Sequence, residues 1–374
     1  MADAATSAGE ALESGMAMKP FASLLFSIMA VAATAEGYLD MHVHAAGIGA
    51  GGSGAFVGAE MRGNIRFRFY LRAFGVNEKE VEAEGDGLII ERISAKLAES
   101  EQVARAVVLA MDGVVGTDGE LDREATQFYV PNEFVAAEVK RYDNLCYGAS
   151  VNPRRHDAIA RLEQAKSDGA LLVKWIPNIM LFDPADPGLE PFYRKLVELD
   201  LPLLSHAGKE QAFAHARDDL GDPRRLEFPL SLGVTVIAAH IATTGKSEGE
   251  DNFERILPMF DEYPNLYSEI SSLTQVNKRN YLRRALDVPG LDERLLYGTD
   301  YPLQFRLLVS SLYHLRHIGV ANARLVSSIS NPWDRDVALK SAMGTPEHVF
   351  ARSAELLDVQ RCRVPAEPSF AEPP

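Results

Sequence analysis

Four of the nine histidines and one aspartate come at the ends of short apolar segments in this 374-residue sequence. His42 and His44 lie in DMHVH, His206 ends LLSH, His240 ends VIAAH, and Asp300 lies in YGTDYP. Neutral imidazole nitrogens and a carboxylate oxygen are typical ligands of zinc and similar divalent ions. Such an ion lowers the pKa of a bound water molecule and makes it a usable nucleophile. The sequence therefore predicts a water-activating metal site, provided that the fold brings these residues together.

Eight apolar segments, separated by segments with helical periodicity, are predicted to be β-strands. They span residues 39–43, 105–111, 145–151, 170–176, 201–205, 234–239, 265–270 and 295–298. Near-continuous apolar strands that alternate with helices favour a parallel sheet covered on both faces, and eight such units favour a (β/α)8 TIM barrel. The carboxyl ends of all barrel strands lie at one rim, where the histidines and the aspartate would converge.

The barrel is expected to span residues 38–358, with a long insertion after the first strand. This insertion, residues 45–101, is expected to cover part of the barrel mouth. Residues 359–374 are rich in proline and are predicted to form a flexible C-terminal tail.

Residues 1–37 form an N-terminal extension that contains the apolar segment 21–35, FASLLFSIMAVAATA. It is too short to span a bilayer and ends in a small-x-small pattern, as signal peptides do. Acidic residues precede it where positive charge is expected, and an apolar helix or strand that covers the domain is the alternative. The sequence favours export, for example to the periplasm, over a cytoplasmic location, with no membrane attachment of the mature form.

The composition excludes several classes of function. The formal net charge is −15 and the isoelectric point about 5.1, which disfavours binding to nucleic acids or to anionic membranes. Cys146 and Cys362 are too few for a cysteine-rich zinc site or a disulfide framework, so any metal depends on histidine and carboxylate ligands. A small-molecule substrate is the expectation that remains.

The ordered set of motifs resembles the amidohydrolase superfamily. The resemblance rests on DxHxH at residues 40–44, a histidine after the fifth and after the sixth strand, and GTDYP at residues 298–302, and it covers about residues 38–357. The branch that it is most similar to is the amidohydrolase-related group that includes aminocarboxymuconate-semialdehyde decarboxylase. The resemblance implies a barrel with one or two divalent ions, usually zinc, that catalyses hydrolysis or, in this branch, non-oxidative decarboxylation or hydration. Related barrels often pair, so a homodimer is compatible with it.

Carried over by position, the resemblance assigns a role to each candidate residue. It implies that His42, His44 and His206 bind the metal. It also implies that Asp300 ligates the metal and moves a proton, and that His240 polarises the substrate or activates water. These roles agree with the chemistry of the side chains, because a carboxylate beside an activated water is placed to take its proton.

Lys174 leaves the number of ions open. It lies in LLVKWIP, on the strand where binuclear members of the superfamily carry a carbamylated lysine that bridges two ions. The alternative is an ammonium group that pairs with a neighbouring carboxylate. One ion is favoured, and two ions with a carbamylated Lys174 remain the second interpretation.

Substrate contacts are predicted at the same rim. The candidate residues follow the fourth, fifth and seventh strands: Trp175, Asn178, Lys209, Arg217 and Glu269. The cationic pair Lys209 and Arg217 suits a carboxylate-bearing substrate, although Arg217 is followed directly by two aspartates that can pair with it.

The sequence thus favours a metal-dependent hydrolase that attacks a lactone, ester or amide with an activated water. The alternative is a metal-dependent non-oxidative decarboxylase of a small carboxylated substrate. A second alternative is a barrel that binds a metal or a solute without catalysis, against which the complete set of candidate ligands argues.

Overall fold

The computed structural model describes residues 37–362. It contains eight parallel strands that form the barrel, and we number them in chain order. They are β1 (Tyr38–His44), β2 (Val103–Leu109), β3 (Leu145–Gly148), β4 (Val173–Trp175), β5 (Leu203–His206), β6 (Val236–Ala239), β7 (Leu266–Glu269) and β8 (Leu295–Leu296). Each corresponds to one of the eight predicted strands. Neighbours in sequence are neighbours in space, with β1 to β3 in one hydrogen-bonded ladder and β4 to β8 in another.

Two seams join these ladders. At the first seam Ala149 pairs in parallel with Val173, and the Lys174 amide donates to the Ala149 carbonyl at 2.7 Å. At the second seam the His44 amide donates to the Tyr301 carbonyl at 2.8 Å. The sheet is therefore a closed (β/α)8 barrel, as predicted, and the segment after β8 is hydrogen-bonded to the carboxyl end of β1.

Fourteen α-helices lie in the described part of the chain. Four belong to the insertion after β1: α1 (Ala59–Gly63), α2 (Ile65–Ala73), α3 (Glu78–Glu84) and α4 (Gly87–Ala98). The others are α5 (Asn132–Val139), α6 (Ala158–Ser167), α7 (Pro177–Met180), α8 (Glu190–Glu198), α9 (Glu227–Ser231), α10 (Asn252–Glu262), α11 (Tyr281–Leu286), α12 (Leu315–Ser328), α13 (Pro332–Ala342) and α14 (Glu347–Leu356). Two short antiparallel pairs are added: Phe56–Val57 with Phe128–Tyr129, and Lys246–Ser247 with Glu250–Asp251.

Proline has opposite consequences in α8 and α10. In α8, Pro191 lies in the first turn, where its missing N–H is not needed. In α10, Pro258 lies inside the helix, and the sequence predicts a kink or an early end there. The helix continues to Glu262, because Met259 and Phe260 stay buried against the barrel. Packing of the apolar face outweighs the lost hydrogen bond.

The C-terminal boundary differs from the prediction. Residues 359–362 form a 3-10 turn rather than part of a flexible tail, and Cys362 forms a disulfide with Cys146 of β3, with 5.0 Å between the Cα atoms. The predicted tail is wrong for these four residues, because a covalent bond holds them against the barrel. The predictions for residues 363–374 and for the segment 21–35 lie outside the described residues. No helix within residues 37–362 is long and apolar enough to cross a bilayer.

Candidate metal centre

The end of β1 and the segment after β8 bring three candidate ligands together. The Nε2 atoms of His42 and His44 are 3.2 Å apart. Asp300 Oδ1 lies 3.1 Å from His44 Nε2 and 3.5 Å from His42 Nε2. The Asp300 amide donates to the His42 carbonyl at 2.9 Å, so the barrel seam itself fixes this arrangement. A metal ion can be held by this group, whose ligand atoms all lie within 4.8 Å of one another.

The hydrogen bonds around His42 indicate which of its nitrogens faces the centre. Glu269, buried at the end of β7, accepts at 3.1 Å from His42 Nδ1. That bond places the proton on Nδ1 and leaves the Nε2 lone pair directed at His44 and at the Asp300 carboxylate. A cation placed among these three atoms would be ligated by all of them. The donor set therefore fits a divalent ion such as zinc.

Hydrogen bonds also fix the second carboxylate oxygen of Asp300, Oδ2. Ser272 Oγ donates to Asp300 Oδ2 at 2.5 Å, and the Gln275 side chain in turn donates to Ser272 Oγ at 2.6 Å. Both Asp300 and Ser272 have positive φ angles, 62° and 59°, a region that non-glycine residues adopt rarely and mostly at functional sites. The backbone thus turns Asp300 towards the histidines instead of towards solvent.

Asp40 connects β1 with the segment after β8. Its buried carboxylate accepts from Thr299 Oγ1 at 2.5 Å, from Trp333 Nε1 at 2.8 Å and from the His42 amide at 3.0 Å. Burial raises the pKa of Asp40 to about 7, although these donors oppose the shift. Asp40 therefore fixes the backbone of His42 and does not touch its ring.

His240 and His206 form a second part of the site. His240 Nδ1 lies 3.1 Å from the Ser271 carbonyl and 2.8 Å from Ser271 Oγ, which leaves Nε2 as the free nitrogen. The ring centroids of His206 and His240 are 5.4 Å apart. His206 Nε2 is buried without a hydrogen-bond partner, and its nearest acidic oxygen, on Glu210, is 3.5 Å away. His206 lines the same cavity, but it is not part of the tight group of His42, His44 and Asp300.

Burial keeps His42, His206 and His240 neutral. It lowers the pKa of His42 to about 4 and that of His206 and His240 well below the ordinary value, in each case with smaller contributions from nearby cationic groups. Burial would raise the pKa of Asp300, but the His44 hydrogen bond holds it well below its usual range. The centre thus offers the neutral His42 imidazole and an ionised Asp300 carboxylate, the forms that bind metals.

A cavity adjoins the centre and opens to solvent. Its polar floor includes the three candidate ligands, His206 and His240. Apolar and aromatic side chains of the insertion form one wall: Met61, Phe67, Tyr70, Leu71 and Phe74. The insertion covers part of the barrel mouth, as the sequence predicts.

The structure corrects most of the predicted substrate contacts. Trp175 is fully buried, donates to Ser205 Oγ at 2.7 Å and packs between aromatic rings. Asn178 is also fully buried and donates to the Gly208 carbonyl at 3.1 Å. Arg217 forms an exposed pair with Asp219 at 2.6 Å. None of the three lines the cavity, because side chains alternate along the strand ends and the loops turn outwards.

Two further candidates have different outcomes. Lys209 does line the cavity, with its side chain 51% exposed and its Nζ 3.9 Å from Asp218. Glu269 lies behind the histidines, where it accepts from His42 and from the His240 amide, and it does not line the cavity.

The sequence reasoning missed two residues that line the cavity, Lys278 and Glu210. Ser271 and Ser272, which the sequence places at the rim after the seventh strand, orient His240 and Asp300. These residues lie in irregular loops, where no periodicity indicates the direction of a side chain. The sequence identifies Lys174, and one interpretation of it is an ammonium group that pairs with a carboxylate. No carboxylate of the described residues lies within 4.0 Å of this ammonium group. Burial lowers the pKa of Lys174 to about 8.

Comparison with known proteins agrees with this geometry. A family model described as Amidohydrolase matches residues 39–305, and the chain belongs to this family. An uncharacterized TIM-barrel protein from Bordetella bronchiseptica is similar in structure, with a TM-score of 0.53, 20% identity and coverage of 87% of this chain and 99% of that chain. IDCase from Metarhizium anisopliae in apo form gives a TM-score of 0.49 at 11% identity, covering 88% of this chain and 99% of that chain. The first likeness concerns the fold alone. A search of curated proteins gave no match.

Proposed function

We propose that this chain is a metal-dependent hydrolase of a small molecule, a lactone, ester or amide. The observation that carries the proposal is the convergence of His42, His44 and Asp300 beside a cavity that is open to solvent. Membership of the amidohydrolase family supports it. A divalent ion bound there, zinc in this proposal, would supply Lewis acidity that lowers the pKa of water.

Asp300 is the proton acceptor in this proposal. Its Oδ2 is engaged by Ser272, while Oδ1 is directed at the histidines. A carboxylate with a depressed pKa is ionised at neutral pH and can take a proton from the attacking water.

His240 is the second group for proton movement. Because Nδ1 is occupied by the Ser271 carbonyl, the neutral ring presents an unprotonated Nε2, which accepts a proton or a hydrogen bond. Of the two roles that the resemblance implies, activation of water fits this tautomer better than polarisation of a carbonyl oxygen, which needs a donor.

One ion is favoured over two. The second group of possible ligands, His42, His240 and Glu269, is held by direct contacts between Glu269 and both histidines. The unpartnered His206 Nε2 supports His206 as a further ligand of a single ion. A carbamylated Lys174 would instead create a binuclear centre, and high-occupancy metal analysis distinguishes the two.

Metal binding is tested with matched variants. Zinc content and affinity are measured for the wild type, for His44→Asn and for His348→Asn. His348 forms a surface group with Asp292 and Glu293 whose ligand atoms are also within 4.8 Å. The proposal predicts that His44→Asn loses the ion and that His348→Asn keeps it. Equal zinc binding by all three proteins would refute the proposed centre.

The reaction is tested with two substrate panels. Acid release from lactones, esters and amides is compared with carbon dioxide release from small carboxylated compounds, for the wild type and for Asp300→Asn. Carbon dioxide release alone would establish the decarboxylase, the reaction of the branch that the motifs resemble. Full turnover by zinc-loaded Asp300→Asn would contradict its role as proton acceptor. Zinc binding without turnover on any panel would favour a non-catalytic barrel.

Export of the protein is part of the proposal. The disulfide between Cys146 and Cys362 supports it, because structural disulfides are typical of oxidising compartments. N-terminal sequencing of the protein from its native host should give a start near Glu36. A start at Met1 in protein with both thiols free would contradict export.

A further inference from the structure

Two lysine side chains in the cavity lack a partner. Lys174 and Lys278 line it and are only 1% and 7% exposed. Neither ammonium group forms a hydrogen bond or an ion pair within 4.0 Å with any residue from 37 to 362; Asp300, Glu210 and Glu269 act on both only from farther away. Lysine is almost never buried without a pairing group, because desolvation of the charge is costly. A group that the protein itself does not supply would pair with them.

The charge of the cavity lining differs in sign from that of the chain. Among the residues that line it, three are lysines, at positions 174, 209 and 278, and two are acidic, Glu210 and Asp300. The chain as a whole carries a net charge of −15, so the lining has a small positive excess in an otherwise acidic protein. A divalent ion would increase it, and the field favours an anionic ligand.

The rest of the cavity is apolar. Phe67 and Phe74 of the insertion face it together with Phe128, Phe213 and Leu303. Ligand sites of this kind bind an apolar body by burial of its surface and orient it through a few polar groups. The described lining contains no arginine, and two separate ammonium groups match the single charge of a carboxylate better than the double charge of a phosphate.

We propose that Lys174 and Lys278 form a carboxylate-binding subsite, and that the substrate is an amphiphilic carboxylate whose apolar body lies against the aromatic wall. This inference rests on the proposed function, since it assumes that the same molecule presents its reacting group to the metal centre. It adds a recognition group, Lys278, that the motifs do not contain.

The probes are phenylacetate and its uncharged isostere phenylacetamide, titrated calorimetrically into zinc-loaded protein. The wild type should bind the carboxylate at least tenfold more tightly than the amide. Lys278→Met should lose about tenfold in affinity for phenylacetate and little for the amide, whereas Lys278→Arg should keep most of the preference. Lys140→Met is the matched control, because Lys140 is a lysine outside the cavity, 52% exposed and with its Nζ 3.7 Å from Asp168, and it should change affinity less than twofold.

Three results would overturn the subsite. They are equal binding of carboxylate and amide by the wild type, equal losses in Lys278→Met and Lys140→Met, and an unchanged preference in Lys278→Met. Carboxylates also bind zinc, and comparison of variants with equal zinc content removes this contribution. Thermal unfolding of Lys278→Met verifies that it is folded, and removal of an unpaired buried charge should leave its melting temperature unchanged or raised.

The outcomes separate this inference from the proposed function. If the protein holds zinc and hydrolyses a substrate but Lys278→Met does not change carboxylate binding, the proposed function stands and the subsite is refuted. If the protein holds no zinc, the proposed function is refuted, and the comparison of Lys278→Met with Lys140→Met still decides the subsite.

Discussion

A buried ion pair beneath the barrel rim gives a quantitative prediction. Lys340 and Asp336 of α13 are both fully buried, and their Nζ and Oδ2 atoms are 2.6 Å apart. Lys340 also donates to the Gly298 carbonyl at 2.8 Å, two residues before Asp300. Loss of one member of a buried pair leaves an uncompensated charge and costs about 3–5 kcal/mol. Lys340→Met should lower the free energy of unfolding by that amount.

An exposed pair of equal length is the control. Lys96 and Glu99 are also 2.6 Å apart, and Lys96 lies, like Lys340, in the last turn of its helix, but the two side chains are 41% and 61% exposed. Such surface pairs contribute about 0.3–0.5 kcal/mol. The free energies of unfolding of Lys340→Met and Lys96→Met, measured by urea denaturation, should therefore differ by about 2.5 kcal/mol or more. At about 2 °C per kcal/mol for a large domain, Lys340→Met should melt about 6–10 °C below the wild type.

The reasoning also predicts a pH dependence and a rescue. Burial already raises the pKa of Asp336, and without Lys340 it rises further, so the variant takes up a proton on Asp336 instead of burying the charge. Because the folded state then binds more protons than the unfolded state, the stability deficit grows as the pH rises and shrinks as it falls. Lys340→Met with Asp336→Leu should recover most of the loss. A cost of Lys340→Met no larger than that of Lys96→Met would refute the argument.

Three further predictions follow from the contacts. Replacement of Cys146 and Cys362 by serine opens a covalent loop with a sequence separation of 216 residues. This should lower the free energy of unfolding, measured with denaturant, by about 2–5 kcal/mol. A decrease no larger than that caused by a serine substitution at an exposed surface position would contradict this prediction. Glu269→Gln should weaken zinc binding about 10–100-fold, because the partner of His42 Nδ1 loses its charge, and an unchanged dissociation constant by competition titration would remove this positioning role. Trp175→Phe should destabilise the fold by about 0.5–1.5 kcal/mol through the lost hydrogen bond to Ser205 Oγ while KM stays the same. A changed KM at equal stability would restore Trp175 as a substrate contact.

The fold was predictable because its signal is local and repeated. Each strand of the barrel is buried on both faces and reads as a short apolar segment, so β1 to β8 were all identified. The positions of His42, His44 and Asp300 followed from topology, since parallel strands end at one rim. Helix α10 was predictable at its start, where Asp251 accepts from the Phe253 amide at 3.1 Å, but not past Pro258, where tertiary packing decides.

The substrate-binding side of the site was predicted less well. Trp175 comes at the end of a strand, as the ligands do, but one residue of offset turns a side chain from the barrel interior to the helix layer. Lys278 and Glu210 lie in loops whose course depends on contacts with the insertion, such as the bond from Tyr70 Oη to the Ala212 carbonyl at 3.0 Å. Such contacts between distant segments have no pattern in a single sequence. The same holds for the disulfide, since nothing in the spacing of two cysteines places their Cα atoms 5.0 Å apart.

The disulfide between β3 and the C-terminal turn closes a covalent ring that contains some of the candidate metal ligands and leaves the others outside. Cys146 and Cys362 enclose β4 to β8, and with them Asp300, His206 and His240, in one covalent ring. β1 and β2, with His42 and His44, lie outside it and are held only by non-covalent bonds. If β1 detached in a partial unfolding event, His42 and His44 would move away with it, while Asp300, His206 and His240 would stay inside the covalent ring. A cation bound by His42, His44 and Asp300 would link the part of the chain inside the ring to the part outside it.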